Sequence, residues 1–458
     1  MPTGCKRAKE IAERSIREKS RNIEWIGSDP ETGRRKSMKL TRIGQGLIAA
    51  AACLGIGLGI TSCNPGDTID YLFVTSNSGT GANSGIVTSY HVNSYSGTLT
   101  PVSGKPTATG GVDPVAEVAT ANQQYLYVAD HGSNDIAQLT ISTDGQLALV
   151  KNYTTPGSEP VSLAVNQTGT LLFVVDYYQA GFSDANPGPG ELIVYPIGSD
   201  GSLGTPVASG ANSYTALQCF PTGVAVAPNG NYVYVTNTNS VVVTTSPPST
   251  ATPPATPSVC PAQGTISGYS VSSGGALTAI AGSPFLAGST PTGIAIDPTS
   301  RFLYATDSVQ NQIIAYDIQS AGVLNPLING PFTTGTFPVN ITVDPRGEYI
   351  YVTNYNSSTI SEYTLTQSTG TPSLGASASF NTQSPFPTCI LVDPALGRYV
   401  YTSDFTSANI TGAQLNPNTG GLTGVQDSPY PANGSPTCVA AVPHGNHATQ
   451  FVPTTSGN

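Results

Sequence analysis

The sequence predicts an all-β fold, a seven-bladed β-propeller whose blades are four-stranded antiparallel sheets. Two observations carry this prediction. A proline followed by a β-branched run recurs at intervals of 46 to 49 residues, except where insertions lengthen two intervals to 61 and 70. In each repeat an alternating, aromatic-rich segment follows that run, as in a half-buried strand. The marker prolines that open the repeats are Pro114, Pro160, Pro221, Pro291, Pro338, Pro387 and Pro436.

Residues 337–380 form the clearest single repeat. A β-branched run leads into a tight turn, an alternating Tyr/Val segment follows, and two further extended segments complete the unit. Four strands in this order make one propeller blade. They are predicted at residues 338–344, 349–354, 359–365 and near Leu374.

The two ends of the array each hold an incomplete repeat. Residues 71–77 match the second strand of a blade, whereas residues 437–443 match a first strand. Pairing the two closes a ring of seven blades over residues 70–443 and leaves no exposed inner edge.

Two repeats carry insertions, at residues 178–190 and 238–264, both between the second and third strands. In a propeller these loops open on the same face as the segments that lead into the first strands. We therefore expect the marker prolines, the ends of the second strands and both insertions to surround one mouth of the central channel.

The charge distribution argues against nucleic acid as a partner. Beyond Cys63 the chain has five Lys and Arg against 21 Asp and Glu, a formal charge of −16, whereas the whole chain carries −10. That excess opposes binding to nucleic acid and to anionic membrane surfaces. We expect a monomer whose partners are a glycan, a small ligand or a protein of the cell envelope.

The part of the chain before the propeller has the pattern of an exported lipoprotein. Residues 43–60 are uncharged and rich in Ala, Gly, Leu and Ile, and the Ile-Thr-Ser-Cys that ends at Cys63 resembles a bacterial lipobox. This predicts a lipoprotein of the cell envelope, in the periplasm, at the outer membrane or on the surface, that meets the membrane through its lipid anchor alone. The predicted segments are a charged extension (1–37), a signal peptide (38–62), a lipidated linker (63–69) and, after the propeller, a tail (444–458).

Three alternatives for this region stay open. The segment before Cys63 could be an ordinary signal peptide or a membrane anchor. Met38 is a candidate translation start, which would make residues 1–37 an upstream artefact. The paired arginines Arg34 and Arg35 are compatible with twin-arginine rather than general secretion.

Four cysteines follow Cys63, an even number in an exported chain, so disulfides are expected. Cys219 and Cys260 belong to the same predicted blade and the same face, which favours their pairing. Cys389 and Cys438 occupy equivalent positions in neighbouring blades. A bridge there would join the closing strand to its neighbour, but the inner strands could stand too far apart for disulfide geometry, and two buried thiols are the alternative.

Two segments, Tyr234–Asn237 and Tyr351–Asn354, spell Tyr-Val-Thr-Asn. On these motifs and the repeat around them, residues 70–443 resemble bacterial YVTN-repeat proteins and the lactonase family of seven-bladed propellers. That family includes 6-phosphogluconolactonase-like enzymes. The resemblance implies the propeller fold and makes lactone hydrolysis a candidate activity.

The chain departs from the catalytic members of that family, which commonly carry a His-Pro-His-like start to a first strand with Arg and Glu nearby. No His adjoins a marker proline here. A phosphorylated lactone would also need cations, but Arg301, Arg346 and Arg398 are predicted on the opposite face. The residues before the seven prolines are Asp113, Glu159, Phe220, Thr290, Phe337, Phe386 and Ser435.

Carboxylates and amides gather at the predicted mouth and are the candidate ligand-binding residues. They favour a sugar or calcium, because hard cations take several oxygen ligands, so calcium is the one candidate cofactor. The alternative is that Asp or Asn at the end of each second strand only caps a turn. Three of the candidates, Asp113, Glu117 and Glu159, do not recur across blades and fit that alternative less well. The full set is Asp113, Glu117, Asp130, Glu159, Asp176, Asp307, Asn354 and Asp404.

His131 is the one His near the predicted mouth and could act as a general base, although a lone loop His is often merely solvated. The candidate catalytic residues are His131, Asp130, Asp113 and Glu159. Three functions remain open: a lipid-anchored module that binds a ligand or protein, an exported lactonase for an uncharged sugar lactone, and a structural surface-layer component. The first is the leading hypothesis.

Overall fold

The computed structural model describes residues 68–79, 81, 83–238, 260 and 262–445, together with the backbone of two short N-terminal strands. The chain divides into two compact units, Met1–Asn64 and Pro65–Asn458. In the first, Ile26–Ser28 pairs with Arg35–Ser37 in an antiparallel register. Cys63 and nearly all of the predicted signal peptide, linker and tail lie outside the described residues. Where the chain is described, no helix has the length and apolar character needed to cross a membrane.

The second unit consists of seven antiparallel sheets, which confirms the predicted seven-bladed propeller. We number the blades 1 to 7 along the chain and the strands of each blade from the innermost outward. The first strands are Ser435–Pro443, Pro114–Ala119, Ser158–Val165, Pro221–Val226, Pro291–Ile296, Pro338–Val343 and Pro387–Val392. The second strands are Thr68–Asn77, Tyr125–Asp130, Leu171–Tyr178, Tyr232–Asn237, Phe302–Asp307, Tyr349–Asn354 and Tyr399–Asp404.

The outer strands are more variable than the inner ones. In blades 1, 4, 5 and 7 the fourth strand is split into two short pieces that both pair with the third strand. The third strands are Gly85–Asn93, Asp135–Ile141, Pro189–Pro196, Thr265–Val271, Gln312–Ile318, Thr359–Thr366 and Asn409–Leu415. The fourth strands are Leu99–Pro101 with Thr107–Ala108, Leu147–Thr154, Thr215–Cys219, Leu277–Ala279 with Phe285–Leu286, Leu324–Pro326 with Phe332–Thr333, Thr371–Asn381, and Leu422–Gly424 with Tyr430–Pro431. Single turns of 3-10 helix lie at His131–Ser133, Ser320–Gly322 and Phe405–Ser407.

Blade 1 is built from both ends of the propeller, as the sequence predicts. Thr68–Asn77 pairs antiparallel with Ser435–Pro443, and the register runs from Asp70 opposite Pro443 to Asn77 opposite Ser435. The ring is therefore closed by backbone hydrogen bonds between strands from the two ends of the array.

The hydrophobic core lies between the blades. In the seam between blades 7 and 1, Leu72 and Val74 belong to the same buried cluster as Tyr399 and Ile410. The second strands are buried on both faces because each blade is covered by a neighbour on either side; all six residues of Tyr349–Asn354 are buried. The aromatic, β-branched composition that predicts these strands is thus the composition of an interface between sheets.

A tyrosine near the middle of most second strands ties its blade to the next one. In blade 6, the Tyr351 hydroxyl donates a hydrogen bond to the carbonyl oxygen of Gly420 in blade 7, at 2.7 Å. That glycine has a φ of 73°, which a residue with a side chain adopts only at a cost, and the ring of Tyr349 fills the place of a Cβ. The equivalent bonds join Tyr127 to Gly201, Tyr234 to Gly322, Tyr304 to Gly370 and Tyr401 to Gly97.

Two disulfides are present in the described part of the chain. Cys219 is bonded to Cys260, the pairing that the sequence favours, with Cα atoms 5.6 Å apart. Cys219 ends the fourth strand of blade 3, so the expectation that both cysteines belong to one blade is wrong, and the bridge joins blade 3 to the insertion of blade 4. Cys389 is bonded to Cys438 with Cα atoms 4.8 Å apart, so the concern that the inner strands stand too far apart is wrong. Neighbouring first strands converge on the channel, which brings equivalent positions of two blades within bridging distance. The second disulfide joins blade 7 to the closing strand.

Candidate functional site

One mouth of the channel is framed by two sets of residues, those that precede the marker prolines and those that follow the second strands. Backbone hydrogen bonds hold the two sets together: the His131 amide donates to the Asp113 carbonyl at 3.0 Å, and the Tyr355 amide to the Phe337 carbonyl at 2.9 Å. Five of the residues before prolines have a left-handed φ, which is uncommon for side-chain-bearing residues. They are Asp113, Glu159, Phe220, Phe337 and Phe386. We call this rim the mouth.

Blades 2 and 3 bring the catalytic candidates together at the mouth. His131 Nε2 lies 3.8 Å from Glu159 Oε2, and these side chains are 29% and 24% exposed, so both are within reach of a ligand. The Glu159 amide donates to Asn134 Oδ1 at 2.7 Å, which fixes its backbone. Asp113 is exposed beside them, and its carboxylate accepts a hydrogen bond from the side-chain amide of Asn77.

Burial sets the protonation of this pair at neutral pH. It lowers the pKa of His131 below its usual value, against the opposing effect of the Asp113 charge, so the imidazole is neutral. Burial, together with the negative charge of Asp184 in the first insertion, raises the pKa of Glu159 to about 7. A neutral imidazole beside a carboxylate that titrates near neutrality can accept and pass on a proton.

Three of the candidate ligand-binding residues, Asp307, Asn354 and Asp404, are buried and hydrogen-bonded within the protein. Asp307 accepts hydrogen bonds from the amides of Ser289 and Thr290, the segment that leads into its own blade. Asn354 donates to the Thr359 and Ser361 side chains, and Asp404 accepts from Thr402 and Thr411. The amide bonds support the capping interpretation at Asp307, whereas Asp404 makes no side-chain cap hydrogen bond to the turn that follows it, and Asn354 bonds side chains of the third strand.

Glu117 and Asp130 in blade 2 are buried as well. Glu117 is 7% exposed, and its Oε1 accepts a hydrogen bond from the Thr75 amide of blade 1 at 3.3 Å. Burial raises its pKa to about 8. Asp130 accepts from the Thr109 hydroxyl at 2.8 Å, and burial likewise raises the pKa of Asp130 to about 8. Of the eight candidates, only Asp113 and Glu159 reach the mouth.

Asp176 is fully buried in blade 3. The sequence does not predict that its neighbour in the sheet is Glu191. Asp176 lies directly opposite Glu191 in the sheet, and Glu191 is fully buried too. Burial raises the pKa of Asp176 to about 7; burial and the adjacent Asp176 raise that of Glu191 to about 8. Glu191 is missing from the candidate set because the insertion hides the register that aligns the two residues.

An aromatic arc occupies the part of the mouth contributed by blades 6 and 7. The ring centroids of Phe337 and Tyr355 are 6.1 Å apart, and those of Tyr355 and Phe386 are 4.8 Å apart. All three side chains are partly exposed. In a seven-membered ring this arc faces blades 2 and 3 across the channel. The threefold recurrence of Phe before a marker proline is the sequence signal that could have revealed it.

Cations are absent from the mouth across the described residues. Arg346 lies in a turn on the opposite face, where its Nε is 2.8 Å from Asp344 Oδ2. Arg301 and Arg398 occupy equivalent turns, Lys105 lies between the two pieces of the fourth strand of blade 1, and Lys151 lies over the Tyr153 ring on an outer strand. Nor is any group of three or more His, Cys, Asp or Glu arranged as a metal site in that part of the chain.

The opposite face carries a groove of about 560 Å³ between blades 1 and 2. Tyr71, Tyr125, Thr143 and His444 are among the residues that line it. It is separated from His131 and Glu159 by the full height of the blades, so it is no part of the mouth.

Comparison with known proteins supports the same fold. A family model described as "Lactonase, 7-bladed beta-propeller" matches residues 83–179 and 259–392, about half of the chain. The chain is similar to a solved putative 6-phosphogluconolactonase from Bacteroides uniformis, with 19% identity and a TM-score of 0.63 over 82% of this chain and 100% of the other. It is also similar to a Pseudomonas aeruginosa periplasmic gluconolactonase, with 16% identity and a TM-score of 0.63 over 82% and 99%. No curated protein matches by sequence.

Proposed function

Since the chain belongs to the lactonase family of seven-bladed β-propellers, we propose that it binds an uncharged sugar lactone at the mouth and hydrolyses it. One observation carries the proposal: His131 Nε2 stands 3.8 Å from Glu159 Oε2 at the mouth, in a pair that can move a proton at neutral pH. In the reaction one water adds to the lactone carbonyl, the ring C–O bond breaks, and a hydroxy acid leaves.

The two residues take complementary roles. The Glu159 carboxylate takes a proton from the attacking water, and the proton is returned through His131 to the alkoxide oxygen released by ring opening. Glu159 is the base because it is the member of the pair that bears charge once the pH exceeds about 7. No oxidant or reductant is needed, since hydrolysis consumes only water.

The mouth favours a substrate without phosphate. A phosphoryl group would meet Asp113 and Glu159 with no Lys or Arg to balance its charge. The arc of Phe337, Tyr355 and Phe386 offers partly exposed rings on which the apolar face of a sugar ring can pack, while the acidic side accepts hydrogen bonds from its hydroxyl groups.

A binding module without turnover is the second candidate, and one specific observation favours it. The His-Pro-His-like start seen in catalytic members of the family is missing from all seven first strands. Under this alternative the same mouth binds a glycan, a small ligand or an envelope protein. We further propose that the protein is an exported lipoprotein anchored at Cys63; two disulfides support passage through an oxidising compartment.

Turnover separates the two candidates. The purified protein is assayed against a panel of uncharged sugar lactones and one phosphorylated lactone, beside His131→Ala and Glu159→Gln. A matched control is His91→Ala, because His91 is also partly buried with a lowered pKa but lies by Tyr71, away from the mouth. We expect hydrolysis of an uncharged lactone that the two mouth variants lose, by about 100-fold or more, and the control keeps. Saturable binding without turnover in the wild type would favour the binding module.

A further inference from the structure

Blade 3 contains two buried carboxylates that no hydrogen bond satisfies. Asp176 and Glu191 face each other in adjacent strands, and both are fully buried. None of their four carboxylate oxygens has a hydrogen-bond partner. The Thr155 hydroxyl and the Gly157 amide lie close enough to lower the pKa of Asp176, and the Gly157 and Ala180 amides act likewise on Glu191, but none of these contacts meets hydrogen-bond geometry. Leaving buried charges unpaired is costly, so such a pair calls for a counter-charge.

Three oxygens pack closely around Gly157. A Cβ atom on Gly157 would lie 2.3 Å from the Tyr178 carbonyl oxygen, 2.8 Å from Glu191 Oε1 and 2.9 Å from Asp176 Oδ2. Because residue 157 is a glycine, no side chain lies between its Cα atom and these oxygens. Three oxygens, two from the second strand of blade 3 and one from its third strand, therefore lie around the same point beside Gly157.

The other blades do not repeat this arrangement. At the equivalent pair of positions, blades 4 to 7 carry at most one carboxylate, and the pairs are Asn237 with Thr265, Asp307 with Gln312, Asn354 with Thr359 and Asp404 with Asn409. Blade 2 has two carboxylates, but Thr109 donates to Asp130 and Asn152 donates to Asp135. Two unsatisfied carboxylates are thus a special feature of blade 3 among the described pairs.

We propose that Asp176, Glu191 and the Tyr178 carbonyl oxygen bind a hard, oxygen-liganded divalent cation, with calcium as its probe. Carboxylate and backbone carbonyl oxygens are the ligands that calcium takes, and water completes its coordination. Two carboxylates neutralise its charge. The site adjoins the mouth but does not include His131 or Glu159, so it goes beyond the proposed function.

The cation has a structural role in the first insertion. Asp176 and Tyr178 come at the start of the insertion and Glu191 at its end, whereas Gly157 belongs to the segment that leads into blade 3. A bound ion therefore ties both ends of the loop to the body of the blade. The same loop carries Asp184, whose carboxylate accepts a hydrogen bond from the Tyr178 hydroxyl at 3.1 Å.

Calcium titration of the EDTA-stripped protein tests the proposal. By calorimetry we expect one ion per chain with a Kd on the order of 10⁻⁴ M, the range of extracellular calcium modules, and a rise in Tm on saturation. The double variant Asp176→Asn, Glu191→Gln should lose binding at least tenfold and lose the calcium-dependent rise in Tm. Both substitutions reproduce residue types that other blades hold at these positions, so the fold should tolerate them.

A single variant and a matched control distinguish loss of the cation site from misfolding of the protein. Glu191→Gln alone copies the Gln312 of blade 5 and should weaken calcium at least tenfold. Glu362→Gln removes another buried third-strand carboxylate, whose Oε1 accepts a hydrogen bond from the Leu422 amide, and should leave calcium binding unchanged.

Two results would overturn the proposal: wild-type protein that binds no calcium at millimolar concentration, which would mean that the pair shares a proton instead, or variants that bind as tightly as the wild type. The lactone assay on the same samples is scored separately. Loss of calcium binding with retained lactone turnover contradicts only the cation site. Loss of turnover with retained calcium binding contradicts only the proposed function.

Discussion

The hydroxyl of Tyr401, in the last blade, donates a hydrogen bond to the carbonyl oxygen of Gly97, in the first, at 2.6 Å and fully buried. The same bond joins four other pairs of neighbouring blades, but here it crosses the seam where the ring closes. The backbone pairing of Thr68–Asn77 with Ser435–Pro443 and this side-chain hydrogen bond therefore both stabilise the closed ring.

Removing that hydroxyl should weaken the whole propeller. Tyr401→Phe leaves the Gly97 carbonyl buried without a partner, and we expect a loss of about 1–3 kcal/mol in the free energy of unfolding, measured by urea denaturation. Phe73 and Phe173 occupy the equivalent positions of blades 1 and 3, so the substitution fits the fold. Tyr95→Phe, at an exposed site, is the control. An unchanged midpoint in Tyr401→Phe would show that the bond contributes nothing net.

The Cys389–Cys438 disulfide should stabilise the closed ring. It spans 49 residues, and a loop of that length corresponds to about 4 kcal/mol in the chain-entropy model. We expect Cys389→Ser, Cys438→Ser to lower the free energy of unfolding by that order, and dithiothreitol to have little further effect at this site. Cys219→Ser, Cys260→Ser, which opens a loop of 41 residues between the fourth strand of blade 3 and the insertion of blade 4, is the comparison. Equal stability of the wild type and the first variant would contradict a role in closure.

Hydrolysis should depend on pH through Glu159. Its pKa is raised to about 7, and a base works only when ionised, so kcat/KM should fall about tenfold per pH unit below 7 and level off above it. The profile of His91→Ala should match that of the wild type. A profile with its inflection near pH 4.5 would assign the base elsewhere.

Glu117 should make the protein less stable as the pH rises. Burial raises its folded-state pKa to about 8 from an ordinary 4.5, so the neutral form is favoured in the fold. Its contribution is fully present below about pH 4.5 and is lost as the pH rises through about 8, by up to a few kcal/mol. Glu117→Gln cannot ionise and should make the fall in stability between pH 5 and 9 less steep, as followed by urea denaturation, while the other buried carboxyls such as Asp130 still contribute. Asp200→Asn, at an exposed turn, should leave the curve as it is.

Export and lipidation are checked on the mature N-terminus. Mass spectrometry of the protein purified from membranes should find a diacylglycerol-modified Cys63 as the first residue, and Cys63→Ser should release the protein from the membrane fraction. A mature terminus elsewhere, or an unmodified Cys63, would point to an ordinary signal peptide instead.

The fold could be predicted because the signals of each blade are local in the sequence. Each repeat carries its own proline, β-branched run and aromatic strand. The closure of the ring followed from counting strands, since residues 71–77 and 437–443 each lacked a partner within their own repeat. Local pattern suffices for this because strand type and strand order are local properties.

The candidate site was harder to predict because burial and register are not local. Asp307 and Asp113 both stand at the predicted mouth, yet one is buried among backbone amides and the other is exposed. Glu191 meets Asp176 only through the register of two strands separated by an insertion. The pairing of Cys389 with Cys438 depended on how closely the inner strands approach the channel, a distance that no motif encodes.

Because blade 1 combines strands from both ends of the propeller, it is completed only when the last strand has been synthesised. The Thr437 hydroxyl bonds to the Thr75 carbonyl across 362 residues of sequence. At synthesis rates of about 5–20 residues per second, the second strand of blade 1 waits roughly 20–70 s for the strand that completes it. Throughout that interval its inner edge is bare and able to pair with another chain. The nascent protein is therefore most at risk of aggregation before its last strand arrives, and a chaperone that shields Thr68–Asn77 would act on that step.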